Sequence, residues 1–358
     1  MRVAVLANLK SNAPAEALDA PDAWAELDGQ RTVDAVVDAL HRAGHEAQFF
    51  EGDLSLVERL PRFRPDLCFN LCEGHHGDSR ESHVPALLEM MRVPYTGSGV
   101  LALAVTLDKP TTKQVLVAHG IPTPPSQVFH AVDDALDPSL RFPLFVKPSK
   151  EGSGMGVTAE SVVRDLDALR ARVGYVLTRY RQPALVERFI RGREITIGLF
   201  GNRGATVVPD GAAWSRVARV DGMLVLPAYE INHAGLPASE GGVYTHHVKG
   251  QWEGDWVNGR DYHCPARLDA AFADRLARLA VATFHATGCR DVGRVDLRLD
   301  ADDGDRPYVL EINALPGVAP GVSDLCHEAA AAGLDHDAFI TGILAQALAR
   351  GPLPVPPP

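Results

Sequence analysis

Sulfur and aromatic rings are scarce in this sequence, and long apolar runs are missing. Five cysteines stand among 358 residues, Cys68, Cys72, Cys264, Cys289 and Cys326. An odd count without close pairing excludes a disulfide framework and reads as reduced thiols in a cytoplasmic protein. Cys68 and Cys72 lie near Glu73, His75 and His76, but tetrahedral zinc sites use other spacings, so buried thiols beside loop histidines are the favoured reading. No stretch approaches the roughly 20 apolar residues of a membrane span. The opening Met1–Ala7 is too short to be a signal peptide and reads as a first strand. Basic residues are in deficit, 35 Lys and Arg against 46 Asp and Glu, for a net charge of −11. That balance argues against nucleic acid and anionic membranes as partners, although local lysines can still hold an anion. Walker and Rossmann spacings are both absent, and there is no internal repeat. The remaining composition, 46% apolar and 23% charged, is ordinary for a globular protein. The length allows two or three domains with a sizeable core.

What is present is organised. Strand Val3–Ala7 precedes a helix over Thr32–Ala43, where Val33, Val36, Val37 and Leu40 give helical spacing and Gly44 supplies the stop. Glu46–Phe50 and Asp66–Asn70 read as further strands and Val84–Met91 as a helix, a βαβ pattern that implies a parallel sheet. The run Gly120-Ile121-Pro122-Thr123-Pro124-Pro125 is a natural linker. Arg164–Tyr180 and Leu268–Thr287 read as helices. Residues 210–260 are rich in Gly, His and Trp and poor in periodicity, and read as a substrate-facing lid or as irregular surface. The proline-rich tail from Gly351 reads as a frayed terminus.

Three segments carry chemistry. Val295, Leu297 and Leu299 alternate with Arg294, Asp296 and Arg298, the period of a half-buried strand. After the turn Asp302-Asp303-Gly304-Asp305, Glu311 and Asn313 share a face of a second strand. Asp296, Glu311 and Asn313 could therefore meet on one hairpin surface, and three oxygen ligands suit Mg²⁺. A solvated hairpin face would show the same alternation. Next, Leu144-Phe145-Val146-Lys147-Pro148 is a strand ending in lysine, followed by Glu151-Gly152-Ser153-Gly154-Met155-Gly156. Such a loop lets backbone N–H groups approach phosphates beside a neutralising lysine. Finally, Leu185–Ile190 and Gly192–Ile197 read as strand, kink, strand.

In this order, these segments resemble the ATP-grasp superfamily, and within it the D-alanine–D-alanine ligase family. Pro94-Tyr95-Thr96-Gly97-Ser98-Gly99 and Leu107-Asp108-Lys109, with Lys113 after it, resemble further stretches of that family. The resemblance spans about Leu67 to Ser323. It implies an α/β (α+β) ATP-grasp fold with a doubly wound parallel-sheet domain over 1–105. A central α+β subdomain over 106–185 carries the phosphate loop, and an antiparallel-sheet subdomain over 186–358 carries the metal site. It implies ATP, with Lys109 and Lys147 on its phosphates. Glu151, Gly152, Ser153, Gly154 and Met155 form the closing loop. Glu187 receives the adenine amino group beside Arg188, Phe189 and Ile190, and Glu194 holds the ribose. Asp296, Glu311 and Asn313 would hold Mg²⁺, two ions in this family, with Mn²⁺ as a substitute. Arg294, Ser153 and Gly317 are the implied catalytic set.

The implied reaction joins an acid to an amine. The acid attacks the γ-phosphate of ATP, an amine attacks the resulting acyl phosphate, and ADP and phosphate are released. Two unit charges 4 Å apart repel by about 4 kcal/mol at an effective dielectric near 20, so lysines and a metal are needed for the first step.

Departures from the family fall on the substrate side. The family's glycine-rich N-terminal loop is here Leu6-Ala7-Asn8-Leu9-Lys10-Ser11-Asn12. Its "LHG" histidine is replaced by Glu73 in Asn70-Leu71-Cys72-Glu73-Gly74. Its lid Lys-Tyr pair is replaced by Asn232 and His233. His246 and His247 are further polar residues of that segment. Glu73, Asn232 and Ser323 are therefore the expected substrate contacts. Arg80 and Glu81 read as a surface pair or as a carboxylate clamp, and Tyr229 and Glu230 as lid lining or packing. A ligase for another small acid and amine, in the cytoplasm and as a homodimer, is the expectation. An ordinary D-alanine–D-alanine ligase, a phosphotransferase and a nucleotide-binding protein without ligase activity stand as alternatives.

Overall fold

The computed structural model describes residues 1–14, 20, 22–231 and 262–351. Strand β1 (Arg2–Ala7) is central in a parallel sheet, with β2 (Glu46–Glu51) on one side and β3 (Leu67–Leu71) on the other. Val3 through Ala7 are all buried, as a parallel strand covered on both faces requires. Val3, Val5 and Ala7 pack with Val33, Val36 and Leu40 of helix α1 (Gln30–Arg42). Ala4 and Leu6 face the other way, toward helix α2 (Leu56–Phe63) and helix α3 (His83–Met91). Helices on both faces make the doubly wound unit that the alternation implied.

Two helices lead out of this unit, α4 (Val100–Leu107) and α5 (Lys109–Ala118). Asp108 caps α5 by accepting a hydrogen bond from the Thr111 N–H at 2.8 Å, and Pro110 follows in its first turn. The cap fixes Lys109 as the first helical residue. The second sheet is antiparallel, in the order β4 (Ser126–Phe129), β7 (Ala184–Arg188), β5 (Leu144–Pro148), β6 (Val162–Val163). Helix α6 (Leu166–Arg179) seals one face through Leu169, Val173 and Val176.

The third sheet is built on β8 (Glu194–Gly201), flanked by β13 (Asp291–Asp300) on one side and by β10 (Met223–Val225) and β11 (Tyr229–Ile231) on the other, with β9 (Ala218–Val220) paired to β10 and β12 (Tyr262–His263) to β11. Strand β14 (Arg306–Asn313) closes the hairpin with β13. Leu276, Ala280 and Phe284 of helix α7 (Ala270–Ala286) join Ile195, Ile197, Val295 and Leu297 in one core. Helix α8 (Asp324–Ala331) and helix α9 (His336–Arg350) follow, and Phe339, Ile340 and Ile343 of α9 join the core shared with α1 and Phe200.

The strand–kink–strand segment resolves into β7 and β8, which belong to different sheets. The boundaries expected at 105/106 and 185/186 fall inside α4 and β7. The sheets change over instead between α5 and β4 and between Arg188 and Glu194. Among the described residues no helix is long and apolar enough to cross a membrane.

Candidate active site

Register brings the hairpin residues together. Asp296 lies opposite Glu311, and Arg294 opposite Asn313. A bulge after Asp296 shifts the pairing so that Leu297 faces Val309, which re-aims the end of the strand. Asp296 is held from three sides. Arg294 donates from Nε and Nη2 to its two oxygens, each at 2.9 Å. Asn313 Nδ2 donates to Oδ2 at 2.9 Å, and the Thr196 hydroxyl donates to Oδ1. Burial alone would lower the Arg294 pKa, but Asp296 and Asp324 outweigh it and hold the guanidinium protonated. Asn313 turns its amide nitrogen to Asp296 and so keeps Oδ1 as an acceptor. Two carboxylates and one amide oxygen on a single sheet face fit a hard divalent cation. Among the described residues no group of three or more His, Cys, Asp and Glu is placed to hold a metal. A site here needs Asn313 as its third ligand.

A cleft runs between the second and third sheets. It is lined by Phe145, Lys147, Gly154, Met155, Val157 and Glu194, and at its inner end by Lys109, Asp296 and Glu311. Lys147 reaches Glu187 Oε1 at 2.9 Å, and Lys113 reaches Oε2 at 2.8 Å. Glu187 is only 3% exposed. Burial would raise its pKa, but Lys113 and Lys147 overcome that and keep it below the usual glutamate range. Lys113 is fixed further by Thr123 Oγ1 and the Pro124 carbonyl, at 2.8 and 3.0 Å, and does not line the cleft. Glu194 pairs with Arg298 at 2.9 Å. Lys109 reaches Glu311 at 3.3 Å and donates to the Glu151 carbonyl. Arg188, Phe189 and Ile190 line neither this cleft nor the neighbouring cavity. Arg188 turns out to Asp300 and over the Tyr308 ring, and Phe189 stacks on Phe145.

The neighbouring cavity, about 490 Å³, shares Lys109 and Glu311 with the cleft. Ser153, Gly317, Ser323, Arg294, Asn313 and Glu73 all line it. A Cβ on Gly317 would come within 2.8 Å of Ser323 Oγ, so glycine is what permits this approach. Ser323 Oγ accepts from the Ala319 N–H at 3.0 Å, which fixes the turn before α8.

The opposite wall is acidic. Glu26, Asp28 and Glu81 join Glu73 there, and Lys10 and Asp324 line the same cavity. Burial pushes the Asp28 pKa up to about 7. Burial likewise raises Glu73 and Glu81, reinforced by Glu26 and opposed by Arg80. Sequence reasoning missed Glu26 and Asp28. They sit in a segment without periodicity, and Glu26 meets its loop partner 126 residues away.

Arg80 is neither half of a surface pair with Glu81 nor a member of this cavity. It is buried, and bonds to Glu26 at 2.6 Å and Glu151 at 2.9 Å. Tyr229 and Glu230 are packing residues. Tyr229 stacks on Tyr262 at 4.8 Å between ring centroids, and Glu230 is clamped by both ends of the Arg193 guanidinium at 2.6 and 2.7 Å. Asn232, His233, His246 and His247 lie outside the described residues.

The model of the D-ala D-ala ligase C-terminus matches residues 115–220 and 222–345. A D-alanine–D-alanine ligase of Xylella fastidiosa is 32% identical over 319 residues, 87% of this chain and 92% of the relative. The chain belongs to the D-alanine–D-alanine ligase family. It is thus an ATP-dependent carboxylate–amine ligase of the ATP-grasp type. An uncharacterised protein of Sinorhizobium fredii, y4sG, shares 36% identity over 334 residues, 90% of this chain and 88% of that one. The D-alanine–D-alanine ligase of Bacillus anthracis, solved in complex with ATP, superposes with a TM-score of 0.69 over 97% of both chains at 23% identity, a likeness of fold. Family membership reaches most of the chain, including the cleft and the hairpin.

Proposed function

We propose that this ligase activates a small carboxylic acid as an acyl phosphate and transfers it to an amine, and that the pair is not two molecules of D-alanine. The observation that carries the reading is the seam between the two spaces. Lys109 and Glu311 border both the nucleotide cleft and the acid–amine cavity, so a phosphoryl group leaving one space arrives in the other. Lys109 and Lys147 would offset the charge of the phosphates as the acid oxygen approaches. Arg294 and the Gly317 N–H would then receive the oxyanion formed when the amine attacks the acyl carbon. Asp296, Glu311 and Asn313 would hold Mg²⁺, two ions as in the family or Mn²⁺ in their place, and the metal would neutralise the β- and γ-phosphate oxygens.

ATP phosphates would draw Lys147 from Glu187, freeing Oε1 to accept from an exocyclic amine while Lys113 keeps the carboxylate ionised. Adenine supplies that donor. Guanine presents an acceptor there, and a buried polar group left unpaired costs about 1–3 kcal/mol. ATP is therefore expected to bind at least roughly tenfold more tightly than GTP. Equal affinities by calorimetry would remove Glu187 from this role.

The substrate reading rests on the cavity wall. Beside Glu26, which is held by Arg80 and the Gly152 N–H, Glu73, Asp28 and Glu81 stand together, more carboxyl groups than one α-ammonium can engage, and the family's N-terminal pattern is missing. D-alanine alone is expected to be a poor substrate. The test is mass-spectrometric detection of D-alanyl-D-alanine at millimolar D-alanine, alongside a screen of acids and amines for phosphate release. Release that requires both an acid and an amine identifies the ligase, and release with an acid alone would indicate a phosphotransferase. Robust D-alanyl-D-alanine synthesis would establish the second reading, which the names of the relatives favour.

A further inference from the structure

The phosphate loop is held from outside. The Gly152 N–H donates to Glu26 Oε1, and the Gly156 N–H donates to Asp22 Oδ2 at 2.7 Å. The other oxygen of each carboxylate is also engaged. Asp22 Oδ1 accepts from the Tyr180 hydroxyl at 2.7 Å, and Glu26 Oε2 from Arg80 at 2.6 Å. Arg80 continues to Glu151 Oε2 and the Lys150 carbonyl, each at 2.9 Å. Gln182 closes the ring by donating to Glu151 Oε1 at 2.6 Å and accepting from the Lys150 N–H at 2.7 Å. A Cβ on Gly152 would meet Glu26 Oε1, so a side chain there would push the carboxylate off the amide.

The direction of these bonds matters. Trp24 and Glu26 line a third space of about 350 Å³, together with Glu151 and Met155. Asp22 lines neither the nucleotide cleft nor the acid–amine cavity. Of the loop, Glu151, Gly154, Met155 and Val157 line the cleft, and neither Gly152 nor Gly156 does. The carboxylates thus take the amides at the two ends of the loop and leave its middle to the nucleotide. Met155 N–H to Gly152 O and Val157 N–H to Gly154 O, at 2.9 and 3.0 Å, fold the loop on itself between them.

We propose that Asp22 and Glu26 are positioning residues that brace the phosphate loop in its nucleotide-ready shape, and that Arg80 ties Glu26, which also lines the acid–amine cavity, to Glu151 at the start of the loop. The inference rests on the ligase reading for the identity of the nucleotide, whereas the brace is carried by the hydrogen bonds of Asp22 and Glu26 to the loop amides. A glycine-rich loop ordered before ATP arrives loses less freedom on binding, which is how pre-organisation raises affinity. Hydrogen bonds from backbone N–H groups to a carboxylate are charge-assisted and stronger than neutral ones. Arg80 also neutralises Glu26, so the brace adds little repulsion against phosphate.

The test uses the full chain, with Asp22→Ala, Asp22→Asn and Tyr180→Phe, none of which alters a residue of the cleft. Hydrogen exchange of the amides over residues 152–157 is read without ligand, the affinity for AMP-PNP with Mg²⁺ by calorimetry, and the melting temperature beside them. Asp22→Ala is expected to speed exchange over the loop and weaken AMP-PNP about tenfold, the equilibrium change expected for one charge-assisted hydrogen bond, with little change in melting. Asp22→Asn, which keeps an acceptor oxygen, should recover part of both effects. If Asp22→Ala unfolds the protein, Tyr180→Phe removes only the hydroxyl and makes the same test more gently. Unchanged exchange in both would overturn the brace. Tighter AMP-PNP binding would overturn it too, since the carboxylates would then be competing with phosphate. If the parent protein does not bind AMP-PNP, the ligase reading fails, and the exchange rates still decide the brace.

Discussion

Glu311→Gln is expected to lower turnover at least about a hundredfold, roughly 2.7 kcal/mol on the barrier, while leaving the fold intact. The substitution keeps the shape of the side chain and removes one negative charge from the seam between the two cavities. A neutral amide oxygen is a weaker ligand for a hard cation that dehydrates reluctantly. Of the expected metal ligands, Asp296 already spends both oxygens on Arg294, Asn313 and Thr196. Glu311 has Lys109 at 3.3 Å and more solvent around it, so it carries a larger share of any metal binding. Losing it should also loosen Lys109, which then has the Glu151 carbonyl as its remaining anchor. Stability should stay level or rise slightly, because a carboxylate leaves a neighbourhood that also holds Asp296. Activity titrated with Mg²⁺, read beside a melting curve, decides the matter. Recovery at high Mg²⁺ supports a weakened site. Near-normal turnover at ordinary Mg²⁺ would make Glu311 a polar strand residue and the hairpin a solvated face.

The hairpin was legible because its chemistry is local. Period-2 alternation puts Asp296, Glu311 and Asn313 on one face whatever surrounds them, and the observed register agrees. The parallel sheet was legible for the same reason, since buried β1 and the spacing of α1 are written within a few residues. The role of Arg80 was not. Its partners Glu26 and Glu151 lie 54 and 71 residues away, and nothing near Arg80 in sequence distinguishes a buried hub from a solvated arginine. The acidic wall was half legible. Glu73 follows β3, where ligands gather in doubly wound sheets, whereas Glu26 and Asp28 come from a segment with neither periodicity nor motif. Likewise Lys113 could be read as part of a helix start, but not as the second lysine on Glu187. That pairing needs the linker Thr123-Pro124 to fold back over α5.

Arg294→Met should be the most damaging single change in the molecule, and its damage should depend on pH. The guanidinium is 12% exposed and lies 2.9 Å from Asp296 and 3.9 Å from Asp324. Removing one partner of a buried ion pair costs roughly 3–5 kcal/mol, because the remaining charge stays buried. Removing a donor to the developing oxyanion costs about a further 10²–10³ in turnover. Activity should therefore fall about a thousandfold even where the variant is folded. Glu328 gives the pH signature. It is fully buried, it accepts from the Gly198 N–H, and among the described residues its Oε1 has no hydrogen-bond partner. Burial raises its pKa well above the usual range, while Arg294 pulls it down. A carboxyl whose folded pKa is raised binds more protons folded than unfolded, so it lowers stability as pH rises from the ordinary glutamate range toward the folded value. Without Arg294 that folded value moves higher, and the loss continues to higher pH. The gap in unfolding free energy between parent and variant, already open near pH 5 through the stranded Asp296, should thus widen as pH rises, measured by urea denaturation at pH 5 and pH 8. A gap of constant width would mean that Arg294 acts on Asp296 and Asp324 alone. No gap at either pH would mean that the buried cluster does not need its cation.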